Sequence, residues 1–62
     1  MNERQYKKGI VIVREAASAA SQAPTSIEQF VIMLAAVGKL KALGLNEEDV
    51  KRLQKDLEEG VT

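Results

Sequence analysis

The sequence predicts an all-α protein with three helices in one domain, residues 1–62. Two groups of breaker residues, around Pro24 and around Gly44, divide the chain into three segments. Each segment carries apolar residues at the three- and four-residue spacing of a helix. The middle segment also contains eight consecutive apolar residues, Phe30 to Val37. A helix that is apolar on every side is expected to be shielded from solvent all round. Two neighbouring helices do not shield all of its sides.

The first helix is predicted from about residue 3 to about residue 22. Taken alone, the β-branched run from Ile10 to Val13 favours a strand. The Ala-rich stretch that follows, residues 14–20, is strongly helix-forming and decides for a helix. The small side chains between residues 16 and 23 allow a close approach by another helix. That neighbour is either helix 2 of the same chain or a helix of a second subunit.

The second helix is predicted from about residue 26 to about residue 43. Thr25 and Glu28 have the spacing of a capping box at its start. Pro24 holds the preceding residue in an extended conformation and so separates helices 1 and 2. Gly44 is placed to adopt the left-handed conformation that ends a helix.

The third helix is predicted from about residue 47 to about residue 59. Asn46 is a suitable N-cap, and the acidic residues Glu47, Glu48 and Asp49 suit the first turn. Apolar residues recur only at Val50, Leu53 and Leu57. Helix 3 therefore has a single apolar face.

Helix 2 has apolar residues on two faces, of which one is expected to pack within the chain. The first face comprises Phe30, Met33, Leu34, Val37 and Leu40, and the second comprises Val31, Ile32, Ala35, Ala36 and Leu43. A monomer rarely exposes an apolar patch as large as the remaining face. The expected solution is a symmetric helical homodimer. The alternative is a monomer whose helices 1 and 3 enclose helix 2 completely.

The composition excludes several functional classes. The chain has no Cys and no His, so disulfides and a typical zinc site are excluded. It also lacks a glycine-rich phosphate loop and a plausible nucleophile with its base. We therefore expect no enzymatic activity, no metal and no cofactor. The apolar run is too short to span a bilayer, which takes about 20 residues, and we expect a cytoplasmic protein without a membrane partner.

The charges allow a DNA-binding alternative without favouring it. Nine basic and nine acidic residues balance, with an excess of +3 in residues 1–41 and −3 in residues 42–62. The segment around Gly44 resembles the turn of a helix–turn–helix unit in length and apolar flanks. However, its second helix would present Glu47, Glu48 and Asp49 to the phosphates. A basic N-terminal turn with Arg4, Lys7 and Lys8 is the other possible contact.

The leading hypothesis is a small non-enzymatic regulator or inhibitor that binds another protein as a helical homodimer. The alternatives are a dimeric DNA-binding transcriptional regulator, using helices 2 and 3 or the basic N-terminal turn, and an oligomerisation module of a larger assembly. The residues expected in core or dimer contacts are Ile10, Ile12, Val13, Ala17, Phe30, Val31, Leu34 and Val37. The candidates for contact with a partner protein are Lys7, Lys8, Val11 and Arg14.

Overall fold

The computed structural model describes residues 1–60 and has three α-helices in this part of the chain. They are α1 (Glu3–Gln22), α2 (Ser26–Ala42) and α3 (Glu47–Glu58). The all-α prediction is confirmed, and every helix boundary agrees with the predicted one to within a residue. Val61 and Thr62, which belong to the predicted domain 1–62, lie outside the described residues.

Side chains cap the start of α2 and α3. The Thr25 hydroxyl accepts a hydrogen bond from the backbone of Glu28 at 3.2 Å. The return bond from Thr25 to the Glu28 side chain is not formed, so only half of the predicted capping box is present. At α3 the full capping box is present. The Asn46 side-chain oxygen accepts a hydrogen bond from the backbone amide of Asp49, and the Asp49 carboxylate accepts one from the backbone amide of Asn46. The predicted N-cap at Asn46 is confirmed.

Gln5 connects the start of α1 to the end of α2. Its side-chain oxygen accepts a hydrogen bond from the backbone amide of Asn2. The side-chain oxygen of Asn2 in turn accepts a hydrogen bond from the backbone amide of Gln5 and so caps α1. The Gln5 amide also donates to the carbonyl oxygen of Leu43 at 2.9 Å. Leu43 is the C-cap of α2, and a carbonyl at this position has no partner within the helix.

Gly44 ends α2 with the left-handed conformation that its position predicts, at a φ of 90°. The Gly44 amide donates to Lys41, and the Leu45 amide donates to Leu40. These two bonds form a Schellman motif, which is usually accompanied by an apolar contact across the turn. Leu40 and Leu45 are both buried. The turn therefore brings α2 and the start of α3 into one core.

The core is small and lies against one side of α1. Both α2 and α3 pack on α1, whereas α2 and α3 make few contacts with each other. The buried apolar side chains are Ile10, Val13, Leu40, Leu45 and Leu53. Five such residues are few among the 27 apolar residues of positions 1–60, so most apolar side chains in this range are at least partly exposed.

Gly9 allows α3 to approach α1 closely. A Cβ atom at Gly9 would lie 2.6 Å from a methyl group of Leu53 and 3.3 Å from one of Leu45. Leu53 is fully buried, which leaves its methyl group little space to move away. Gly9 lowers the helix propensity of α1, but the contact with Leu53 requires it.

α2 packs on α1 through a stripe that combines both of its predicted faces. Leu40 is buried, and Ile32, Ala36, Val37 and Leu43 are partly buried. Leu40 and Val37 belong to the first predicted face, and the other three to the second. Neither predicted face packs as a unit. The uninterrupted apolar run contains no polar residue that would indicate which side of α2 faces solvent. The buried Leu40 determines the rotation of α2 about its own axis instead.

Tyr6 joins α1 to α3 by a hydrogen bond between residues far apart in the sequence. Its hydroxyl donates to the Asp56 carboxylate at 2.6 Å. This bond raises the pKa of the Tyr6 phenol above its usual value, with burial and the negative charge of Asp56 adding to the effect and Arg52 opposing it. The bond holds the second half of α3 against the start of α1.

We expect Gly9→Ala to lower the free energy of unfolding by about 1 kcal/mol. Overpacking a core costs about 1–3 kcal/mol, while replacing a helical glycine by alanine returns about 0.5–1 kcal/mol. Chemical denaturation measures the difference. In a Leu53→Val background, which lacks the clashing methyl group, the loss should shrink or reverse. An equal loss in both backgrounds would contradict the proposed contact.

We expect the thermal stability to decrease at alkaline pH because of Tyr6. A pKa raised in the folded state means that the protonated phenol contributes stability below about pH 10, the usual pKa of tyrosine. This contribution is lost as the pH rises through the folded-state pKa. Melting temperatures measured from pH 8 to 11 should fall more steeply for the wild type than for Tyr6→Phe. Parallel curves would argue against the Tyr6–Asp56 bond.

Candidate interaction surfaces

The outer side of α2 carries the largest exposed apolar residues of the described chain. We define the α2 apolar face as the five residues Ile27, Phe30, Val31, Met33 and Leu34. Their exposed fractions are 77%, 62%, 57%, 50% and 55%, respectively. All five lie in the first two and a half turns of α2, and each is at least half exposed.

The α2 apolar face is large for a protein of this size. Its five side chains present on the order of 500 Å² of surface, which is the size at which the largest apolar patch of a monomer is often functional. The molecule measures 35 × 24 × 16 Å.

Gly38 continues the outer side of α2 toward its C-terminal end. It is exposed, and a Cβ atom added there would have no neighbour within 4 Å. A glycine inside a helix lowers its stability by roughly 0.5–1 kcal/mol relative to alanine. No contact within the described chain accounts for a glycine at this position, in contrast to Gly9.

The residues predicted in core or dimer contacts fall into three groups. Ile10 and Val13 lie in the core, and Ile12 and Val37 are partly buried. Ala17, Phe30, Val31 and Leu34 are exposed. The first two groups are accounted for by packing within the chain. For the exposed group, contact with a second subunit remains a prediction.

An open groove runs beside the α2 apolar face, between α2 and α3. Its floor is the small-residue half of α1, at Ala16, Ala17 and Ala20. Met33 and Val37 border it on the α2 side, and Val50, Gln54 and Leu57 on the α3 side. The Ala-rich stretch is thus only partly covered by α2, and the groove extends the apolar surface beyond α2 itself.

The four residues predicted to meet a partner protein are all exposed on α1. Lys7, Lys8, Val11 and Arg14 share one side of the helix with Arg4, and we call these five residues the α1 basic face. Lys7 forms an exposed ion pair with Glu3, at 3.2 Å between Nζ and Oε1. Val11 is 46% exposed. Val11 also lines a shallow hollow with Lys7, Lys8, Ile12 and Leu43.

The first turn of α3 is acidic where a recognition helix would meet DNA. Glu47 and Glu48 are exposed, and Asp49 is partly buried and engaged in the N-cap of α3. Lys51, Arg52 and Lys55 follow along the helix and are exposed as well. A phosphate backbone approaching this turn would meet carboxylates first.

Within residues 1–60, no three His, Cys, Asp or Glu side chains are grouped as metal ligands would be. In the same range, no helix combines the length and apolar character that a membrane span requires. Comparison with models of protein families, with curated proteins and with solved structures finds no match to this chain.

Proposed function

We propose that this protein is a small non-enzymatic regulator that forms a helical homodimer and binds another protein. The observation that carries the proposal is the α2 apolar face, with five large side chains at least half exposed. A folded chain with a core of five buried apolar residues gains substantially from covering this face. Small proteins without disulfides or metal commonly reach sufficient stability by oligomerisation.

The energetic gain from covering the face is large relative to the stability of a small domain. Full burial of one large apolar side chain contributes about 1.5–3 kcal/mol. Covering the exposed half of several such side chains contributes several kcal/mol, whereas a whole domain is stable by about 5–15 kcal/mol. Folding and self-association are therefore expected to be linked.

The α1 basic face is the surface we assign to the partner protein. It carries four cationic side chains around the exposed Val11. Lys7 and Lys8 border a hollow with the apolar lining residues Val11, Ile12 and Leu43. This combination suits an apolar side chain of a partner that is flanked by acidic residues, because the opposite charges steer the approach. The face shares no residue with the α2 apolar face.

DNA binding by a dimer is the second candidate, and the α1 basic face is the observation in its favour. Arg4, Lys7, Lys8 and Arg14 are all exposed on one side of α1. Against it stand the zero net charge of the chain and the acidic first turn of α3. Nucleic-acid-binding domains usually carry a clear basic excess.

We expect Val31→Asp to weaken the dimer at least tenfold, because a carboxylate would be buried in the interface without a partner. Sedimentation at micromolar concentration should show a dimer for the wild type and the 6.8 kDa protomer for the variant. Val11→Asp is the matched control, since Val11 is similarly exposed on another helix, and it should remain dimeric. A well-folded wild-type monomer at all concentrations would overturn the dimer.

We expect titration with random-sequence DNA duplex at low salt to show no binding. A DNA-binding protein has measurable and salt-sensitive affinity even for non-specific sequence, so binding that decreases with salt would favour the second candidate.

In affinity capture from cell lysate, we expect the wild type to retain a protein that Arg14→Glu loses, because the substitution reverses a charge of the α1 basic face. Equal capture by the wild type and by Arg14→Glu would show that the α1 basic face is not the contact surface.

A further inference from the structure

We propose that the α2 apolar face binds the same face of a second copy, with the two α2 helices antiparallel. Ile27 and Phe30 of one copy then lie against Gly38 of its partner, and Val31 and Leu34 lie next to the two-fold axis. The arrangement rests on the homodimer proposed above. It adds the surface, the direction of the two helices and a role for Gly38.

The sizes of the side chains on the outer side of α2 favour this arrangement. Ile27, Phe30, Val31, Leu34 and Gly38 follow one another at spacings of three, one, three and four residues. At 3.6 residues per turn, they share a stripe about 100° wide. The bulky residues Ile27 and Phe30 stand at one end of the stripe and Gly38 at the other. A two-fold interface pairs a surface with itself, and only antiparallel helices bring the bulky end onto the glycine.

The charges on α2 favour the same direction. Glu28 lies in its first turn, and Lys39 and Lys41 lie in its last turn. Lys41 is exposed and, by the periodicity of the helix, falls within the same stripe as Gly38. Parallel helices would bring the two Lys41 ammonium groups together across the interface. Antiparallel helices bring the lysine end of each copy to the Glu28 end of the other.

The available area is sufficient for a small two-fold interface with a second copy. A typical specific interface covers about 800 Å² per partner, and the exposed parts of Ile27, Phe30, Val31 and Leu34 provide on the order of 400 Å² of it. Gly38 and the aliphatic part of Lys41 extend the contact. The total lies toward the lower end of the size range of specific interfaces.

Gly38→Ala separates the effect on the helix from the effect on the dimer. The open space around Gly38 means that alanine should raise the melting temperature of the protomer, measured in the monomeric Val31→Asp background. In the otherwise wild-type chain, the added methyl group should weaken the dimer about tenfold by overpacking the antiparallel contact. An unchanged dimer affinity would overturn the contact between Gly38 and the bulky residues.

Disulfide trapping tests the direction directly, because the chain has no native cysteine. A disulfide requires Cα atoms within about 7 Å. In the antiparallel dimer, two Ile27 positions lie about 16 Å or more apart along the helices. An Ile27→Cys variant alone should therefore not cross-link, whereas a mixture with Gly38→Cys should give the mixed disulfide dimer. Self-cross-linking of Ile27→Cys would overturn the antiparallel arrangement and leave the homodimer in place.

A second cysteine pair tests the same geometry with the apolar stripe intact. Glu28→Cys and Lys39→Cys lie on one flank of α2, beside the stripe and not within it. A flexible bifunctional thiol reagent with a reach of about 12 Å should link the two variants to each other, since the helix axes lie about 8–10 Å apart. It should not link Glu28→Cys to itself. The reverse pattern would contradict the antiparallel arrangement. If the wild type and all the variants sediment as monomers up to millimolar concentration, the proposed homodimer fails together with its geometry.

Discussion

The contact between Gly9 and Leu53 is the interaction on which the rest of this fold depends. Leu53 of α3 is fully buried against the one position of α1 that has no side chain, and methyl groups of Leu40 and Leu45 lie within 4 Å of the same point. Residues from α1, α2, the following turn and α3 thus meet there. Because α2 and α3 make few contacts with each other, this point on α1 is where the three helices are joined.

The sequence predicts where the helices begin and end better than it predicts how they face each other. Pro24, Thr25, Gly44 and Asn46 act locally, through backbone conformation and hydrogen bonds to near neighbours, and the boundaries follow from them. The rotation of α2 is not predictable in this way, because its apolar run contains no polar residue to mark the solvent side. The buried Leu40 and the turn that follows it determine the rotation.

Other features have no local sequence signal at all. Gly9 reads as a weak point of α1 until the position of Leu53 is known. The hydrogen bond from Tyr6 to Asp56 joins residues 50 positions apart, and neither residue type predicts the other. Of the predicted interaction residues, the exposure of Phe30, Val31, Leu34 and the four partner candidates follows from the helix packing. The proposed cover by a second subunit or by another protein rests on this exposure.

The one-sided packing of α2 has a consequence for the resistance of the chain to proteolysis. A helix held on one side only opens more readily than a helix enclosed in a core, and transiently opened segments are the ones that proteases cleave. If pairing of the chains protects α2, newly made chains are removed quickly while they are scarce and survive once they are numerous. The amount of protein in the cell would then depend on its rate of synthesis with a threshold. Little protein would accumulate at low rates of synthesis, and accumulation would rise steeply above the threshold.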